Sequence, residues 1–271
     1  MTLGWSVEEL VPAARGGGAL RMGLKRLSPD AWLHGRPDTT TRAEAFDVHP
    51  DSVQSLPWAA DAQAEAAEVI GSDASDLAGA ERMVWEDLCL VQTPPQGGAP
   101  VLSAGAVAFP TDWRLADKLG QPLAAVHAPI HGYAEQLSAG VDHFIATLAP
   151  DMIFGRANWF VVASDDWRYL PQDDVATRFA HVTAENAGDT LFVRSERQTL
   201  RRLPRTGAVL LTIGVYVSPL AALSDAVVGR VAASVAGVGP GEHERRAAPQ
   251  YAAALAAYAA ARQSTALGEA A

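Results

Sequence analysis

Cysteine is almost missing from this 271-residue chain: Cys89 stands alone. A single thiol excludes an internal disulfide, an all-cysteine zinc site and a self-contained iron–sulfur cluster, each of which needs several thiolates. Basic residues are also scarce. The 21 Lys and Arg face 31 Asp and Glu, a net charge of −10, which argues against general nucleic-acid binding because that needs a basic face. No run approaches the roughly eighteen apolar residues of a membrane-crossing helix. The opening residues MTLGWSVEEL bring acids early and no apolar core, so no secretory signal is expected and the cytoplasm is the expected compartment. Nucleophile elbow, P-loop and dinucleotide glycine fingerprint are absent, and the glycine runs at 16–18 and 97–98 lack the strand–turn–helix setting such motifs require.

What is present is a globular composition, 49% hydrophobic and 19% charged. Residues 1–60, rich in Gly, Pro and Asp, read as an extended arm with turns and little regular structure. Helical spacing runs over 59–70 until Gly71 breaks it, and a second helix is expected over about 76–87. A first strand follows at 101–109 and a short helix at 114–119. Pro129 forbids regular helix through His127-Ala-Pro-Ile-His131, which is therefore a turn or loop. An amphipathic helix spans 135–148, three strands are expected at 157–163, 190–196 and 208–217, and helices at 219–235 and 251–262. The expectation is an α+β domain of four to five mostly antiparallel strands with covering helices, an order compatible with a PAS-like sheet whose helices cover a ligand pocket. Residues 1–60 would be an N-terminal arm packed on the domain, 61–240 the PAS-like domain, and 241–271 an Ala-rich C-terminal helix or tail.

Positive charge is concentrated at 194–205, RSERQTLRRLPR, where five arginines face only Glu196, a local +4 directly before the apolar run 207–217. Such a cluster calls for an anion, and ligand carboxylates or phosphates match the planar guanidinium fork. Solvated arginines with ordinary salt bridges are the plainer alternative for any one of them. His127 and His131 are candidate ligands for haem iron, zinc or copper, against the alternative of a loop histidine bonded to a backbone carbonyl. Arg156, Asn158 and Trp159 make a second polar cluster, or else a strand-entry turn with a core Trp. Asp165 and Asp166 are either a metal pair or an Asx turn, with the turn favoured.

Several separated blocks then share one resemblance. They are MGLKRL from Met22, DAWL from Asp30, EDLCLV from Glu86, FPTDW from Phe109, KLG from Lys118, VHAPI from Val126, RANW from Arg156 and ERQTLRRLP from Glu196. In this order they resemble the haem-dependent oxidative N-demethylase family, the haem subunit of dimethylamine monooxygenase. The resemblance implies a PAS-like fold binding haem b. It implies oxidation of a small secondary alkylamine to primary amine and formaldehyde with O2. Electrons would come from NADPH through FMN and an iron–sulfur cluster on a separate reductase subunit, in keeping with the single cysteine. Carried over by position, His127 would be the proximal haem ligand. Arg197 and Arg202 would face the haem propionates, with Arg156 a further candidate for that role and Asn158 also binding the cofactor, and Glu196 or Asp166 would hold the ammonium of the substrate. This chain departs from the family at HAPIH, where a second proline is common, which leaves His131 as a rival ligand or distal residue. Two other readings stand beside this one: a non-catalytic haem-binding PAS-like sensor or carrier, and a haem-free protein binding an anionic ligand.

Overall fold

A computed structural model describes residues 3–14, 20–35 and 39–269. Its helices are α1 (Val7–Ala13), α2 (Thr39–Val48), α3 (Ala60–Ile70), α4 (Leu77–Glu81), α5 (Leu115–Lys118), α6 (Leu123–Val126), α7 (Tyr133–Gln136), α8 (Ser138–Thr147), α9 (Val175–Phe179), α10 (Ala187–Thr190), α11 (Asp225–Ala236), α12 (Pro240–Arg245) and α13 (Ala248–Glu269). The strands are β1 (Lys25–Leu27), β2 (Val53–Ser55), β3 (Asp87–Gln92), β4 (Val101–Ala106), β5 (Ile153–Val162), β6 (Phe192–Arg202) and β7 (Val209–Pro219). Together they make one seven-stranded antiparallel sheet in the order β1-β5-β6-β7-β3-β4-β2. The α+β class expected from the sequence is what the chain adopts. Among the described residues no helix is long and apolar enough to cross a membrane.

The first sixty residues carry more regular structure than their composition suggests. Ser6 and Glu9 form a capping box on α1: the Ser6 hydroxyl accepts from the Glu9 N–H at 3.3 Å and the Glu9 carboxylate accepts from the Trp5 N–H at 2.9 Å. α2 hides from periodicity because what it buries is a charge. Arg42, fully buried, is bonded to Glu81 and to Asp87, the latter at 2.8 Å. The expected helix over 76–87 stops at Glu81, and DLCLVQ forms β3, ahead of the strand expected first at 101–109. This strand lies between β7 and β4 with both faces covered, so its residues run apolar without the alternation that marks a half-exposed strand.

Side chains on the two faces of the sheet meet different partners. One face, including Trp159, Val161, Val193 and Leu210, packs on α1, α3, α11 and α13 in the main core. The other meets α6 and α8 through Val91 and Val209 against Leu123, Ile145 and Leu148, and meets Phe109 through Ile213 and Val215. Between those two apolar clusters the register pairs Arg156 with Gln198 and Asn158 with Glu196, which puts a polar patch on this face. β1 covers the outer edge of β5 only as far as Gly155. From Arg156 onward the edge has no strand beside it among the described residues, and Arg246, just after α12, donates to the Trp159 carbonyl at 3.0 Å.

Candidate functional site

Where β1 stops, a cavity of about 460 Å³ opens. That volume lies within the range of small-molecule and cofactor sites, roughly 300–1,000 Å³. β5 supplies Arg156, Asn158 and Trp159, the segment before β1 supplies Met22 to Lys25, the α6–α7 region supplies His131 and Gln136, and Glu242 and Arg246 close the far side. The segment before β1 is held by Leu20, whose N–H donates to the Gln136 side chain at 2.9 Å. Arg246 bonds Glu242 at 2.8 Å and stacks 5.7 Å from the Trp159 ring centre. Burial opposes the charge on Glu242, yet bonds from Arg245 and Arg246 hold its carboxyl below the usual range.

Two residues of the cavity wall carry buried polar atoms without a hydrogen-bond partner among the described residues, Arg156 Nε and Asn158 Oδ1, as does the Tyr133 hydroxyl outside the wall. Buried polar groups are nearly always answered, so two orphans on one wall leave donor and acceptor capacity for a ligand. Burial pushes the Arg156 guanidinium down from its ordinary value, and the charge on Glu196 opposes the shift. The Tyr133 phenol is pushed up to about 12 by burial, so it stays a neutral donor.

The two histidines are placed differently. His131 is exposed at the cavity and lies so close to α12 that a Cβ on Gly241 would come within 3.1 Å of its ring. His127 does not line the cavity. Its ring stacks on Tyr133, centroids 4.6 Å apart at 13°, and Nδ1 is 2.8 Å from the Leu123 carbonyl. A carbonyl accepts only from a protonated nitrogen, so in the neutral ring Nδ1 carries the proton and Nε2 keeps its lone pair, the usual arrangement of a metal-ligating histidine. Burial lowers the His127 pKa, with the charges of Arg156 and Lys118 adding to it, which keeps the ring neutral at pH 7.

The arginines of 194–205 do not reach the cavity. Arg197 gives Nη1 to the Trp32 carbonyl at 2.8 Å and Nη2 to that of Ala31, and sits 3.7 Å over the Trp5 ring. Arg202 gives Nε to the Leu148 carbonyl at 2.6 Å and its other nitrogens to Gly207 and Ile145. Both were expected to face haem propionates; all three nitrogens of Arg202 and both Nη of Arg197 are engaged by backbone, and only Arg197 Nε is left buried without a partner. Arg194 bonds the carbonyls of Phe109, Pro110, Asp166 and Trp167 and the Thr111 hydroxyl. Arg201 lies 4.4 Å from the Trp32 ring centre, and Arg205 pairs with Glu68 at 2.6 Å in solvent. The +4 island ties the arm and loops to the sheet.

The acids differ as well. Glu196 is buried, accepts from Gln198 at 2.9 Å and stands beside Asn158. Asp166 sits in an exposed turn, accepting from the Ser164 hydroxyl, away from the cavity. Tyr133, Gln136, Glu242 and Arg246 carry no motif and went unread in the sequence, whereas Met22 to Lys25 belong to the MGLKRL block that contributed to the resemblance.

No curated protein matches the sequence. A family model described as haem-dependent oxidative N-demethylase, alpha subunit-like, matches residues 45–255, most of the chain and all of its longer strands. The chain belongs to that family.

Proposed function

We propose that haem b binds in the cavity beside β5 and that the chain, with a partner reductase, removes a methyl group from a small secondary alkylamine such as dimethylamine. The observation that carries this reading is the pair of unpartnered buried atoms, Arg156 Nε and Asn158 Oδ1, on residues that line a cofactor-sized cavity. The inner strands run β4-β3-β7-β6-β5 with α5 to α8 between β4 and β5, which supports the PAS-like description. Residues 61–240 would form the haem-binding unit. The arm 1–60 and the tail 241–271 supply cavity walls through Met22 to Lys25 and through Glu242 and Arg246.

The residues present fit the group. Either of two histidines would hold the iron: His127, whose Nε2 is neutral and whose ring is held by Tyr133 and the Leu123 carbonyl but which does not itself line the cavity, or its rival His131, which does. Arg156 takes over the role of facing a haem carboxylate in place of Arg197 and Arg202. Bound haem supplies the iron at which O2 is activated and the methyl C–H is oxidised. The overall change consumes one secondary amine, one O2, two protons and two electrons, and releases a primary amine, formaldehyde and water. The electrons would arrive from NADPH through FMN and an iron–sulfur cluster on the partner, in the cytoplasm. Glu196 and Asn158 Oδ1, adjacent across β5 and β6, give two acceptors for the two N–H groups of a secondary ammonium.

Haem titration of the purified chain is expected to produce a Soret band at one equivalent. His127→Ala is expected to change the ligand field and His131→Ala to leave it, the reverse identifying His131 as ligand. Formaldehyde release from a panel of secondary amines, with a surrogate reductant, tests turnover. Absence of any haem-dependent spectrum overturns the reading.

A further inference from the structure

Away from the ligand pocket, a run of oxidisable rings crosses the molecule. Trp85, just ahead of β3, contacts Trp167 edge-on at 5.1 Å, Phe109 at 5.8 Å and Tyr216 at 6.2 Å between centroids. Tyr216 continues to His34, 6.0 Å between centroids, with Oη 3.1 Å from Nδ1. Trp167 is partly exposed, while Tyr216 is buried. Tyr216 also shares a row with the cavity wall. It and Trp159 are both paired with Ser195 of β6, which sets them on one face two strand spacings apart, about 10 Å.

Packing alone explains ring contacts, but the polar partners here are those that oxidised rings require. The Trp85 Nε1–H donates to the Val215 carbonyl at 2.8 Å, which favours positive charge on the indole. Arg42 lies 5.4 Å from the Trp85 centroid, yet Glu81 and Asp87 are bonded to it, so Trp85 does not face a bare cation. Burial, with Arg197 adding to it, keeps His34 below the usual histidine range, hence neutral and able to accept a proton. Glu86 accepts from the His34 backbone N–H at 2.9 Å.

The geometry points to a relay for single-electron holes running Trp167–Trp85–Tyr216, with His34 as the proton acceptor. An oxidised Trp167 takes one electron from Trp85, and Trp85 takes one from Tyr216. As Tyr216 loses its electron its phenolic proton passes to His34 Nδ1, leaving a neutral tyrosyl radical and an imidazolium. The oxidant is any strong one-electron acceptor at either end. That the inner end is served by an oxidising haem in the cavity, through Trp159, rests on the proposed function; the relay itself does not.

A haem-free experiment tests it. Photogenerated ruthenium(III) tris-bipyridine in solution oxidises surface tryptophan, and transient absorption and EPR follow the radicals in the full chain. A tyrosyl radical is expected to form, to be lost in Tyr216→Phe and retained in Tyr258→Phe. Trp85→Phe and the partly exposed Trp167→Phe are expected to slow its appearance by at least an order of magnitude. His34→Gln is expected to slow it and to remove the dependence on D2O, with thermal melts showing that each variant is folded. A tyrosyl signal of full size in Tyr216→Phe, or unchanged rates in both tryptophan variants, overturns the relay. Because no haem is involved, this result and the Soret titration fail independently.

Discussion

Arg156 and Arg197 stand at neighbouring positions of the paired strands β5 and β6, and each has a buried Nε without a hydrogen-bond partner, yet their surroundings differ. Arg197, like Arg194 and Arg202 on the same strand, gives its terminal nitrogens to backbone carbonyls. Arg156 stands at the wall of a cavity. A dense run of cations in the sequence marked the place where distant loops are fastened, whereas the arginine that β5 turns to the cavity stands outside that run. Density of charge and availability of charge are separate properties.

That contrast predicts opposite phenotypes. Arg194→Ala leaves several buried carbonyls unanswered and is expected to cost about 3–5 kcal/mol in urea unfolding, since each stranded group costs about 1–3 kcal/mol. A loss below about 1 kcal/mol would erase the distinction between the two classes. Arg156→Met is expected to change stability by no more than about 1 kcal/mol, because it removes an orphaned donor, while weakening haem binding by at least an order of magnitude in a Soret titration.

The pH dependence sharpens the same comparison at His127. Burial holds its pKa below the ordinary 6.5, so the unfolded chain binds the proton first. Stability from this group is therefore present above pH 6.5 and falls as pH drops from there toward the folded-state pKa. Urea midpoints across this window should fall less steeply in His127→Phe than in the parent. The smallest effect is assigned to Gly241→Ala, whose new Cβ at 3.1 Å must displace the His131 ring. Unfolding midpoints should move by less than about 1 kcal/mol. An unchanged Soret band would place the iron on His127, and a shifted band on His131.

Much of the fold was legible where local chemistry is self-sufficient. α3 ends at Gly71 in a left-handed cap, and β7 shows its apolar run between clear breaks, whereas β5 and β6 were read only over 157–163 and 190–196 because their remaining lengths are polar or glycine-broken. β3 was unreadable because burial on both faces removes alternation, and α2 because its buried residue is Arg42. In the site, Arg156, Asn158 and His131 could be named from sequence, being polar residues beside strand or turn signals. Arg197 and Arg202 misled because their partners, the carbonyls of Ala31, Trp32, Ile145 and Leu148, lie far away in the chain and a carbonyl has no residue signature. Tyr133 was invisible for a related reason: only the fold brings its ring onto His127.

The early end of β1 at the sheet edge has a consequence for biosynthesis. The gap it leaves at Arg156 is walled by Met22 to Lys25 and by Glu242 to Arg246, more than two hundred positions apart. A nascent chain that has already formed the hairpin of β6 and β7 still lacks the last wall, so the pocket becomes complete only once residues 242–246 have been made. A chain lacking either segment would keep the long strands of its sheet and lose the cavity's enclosure.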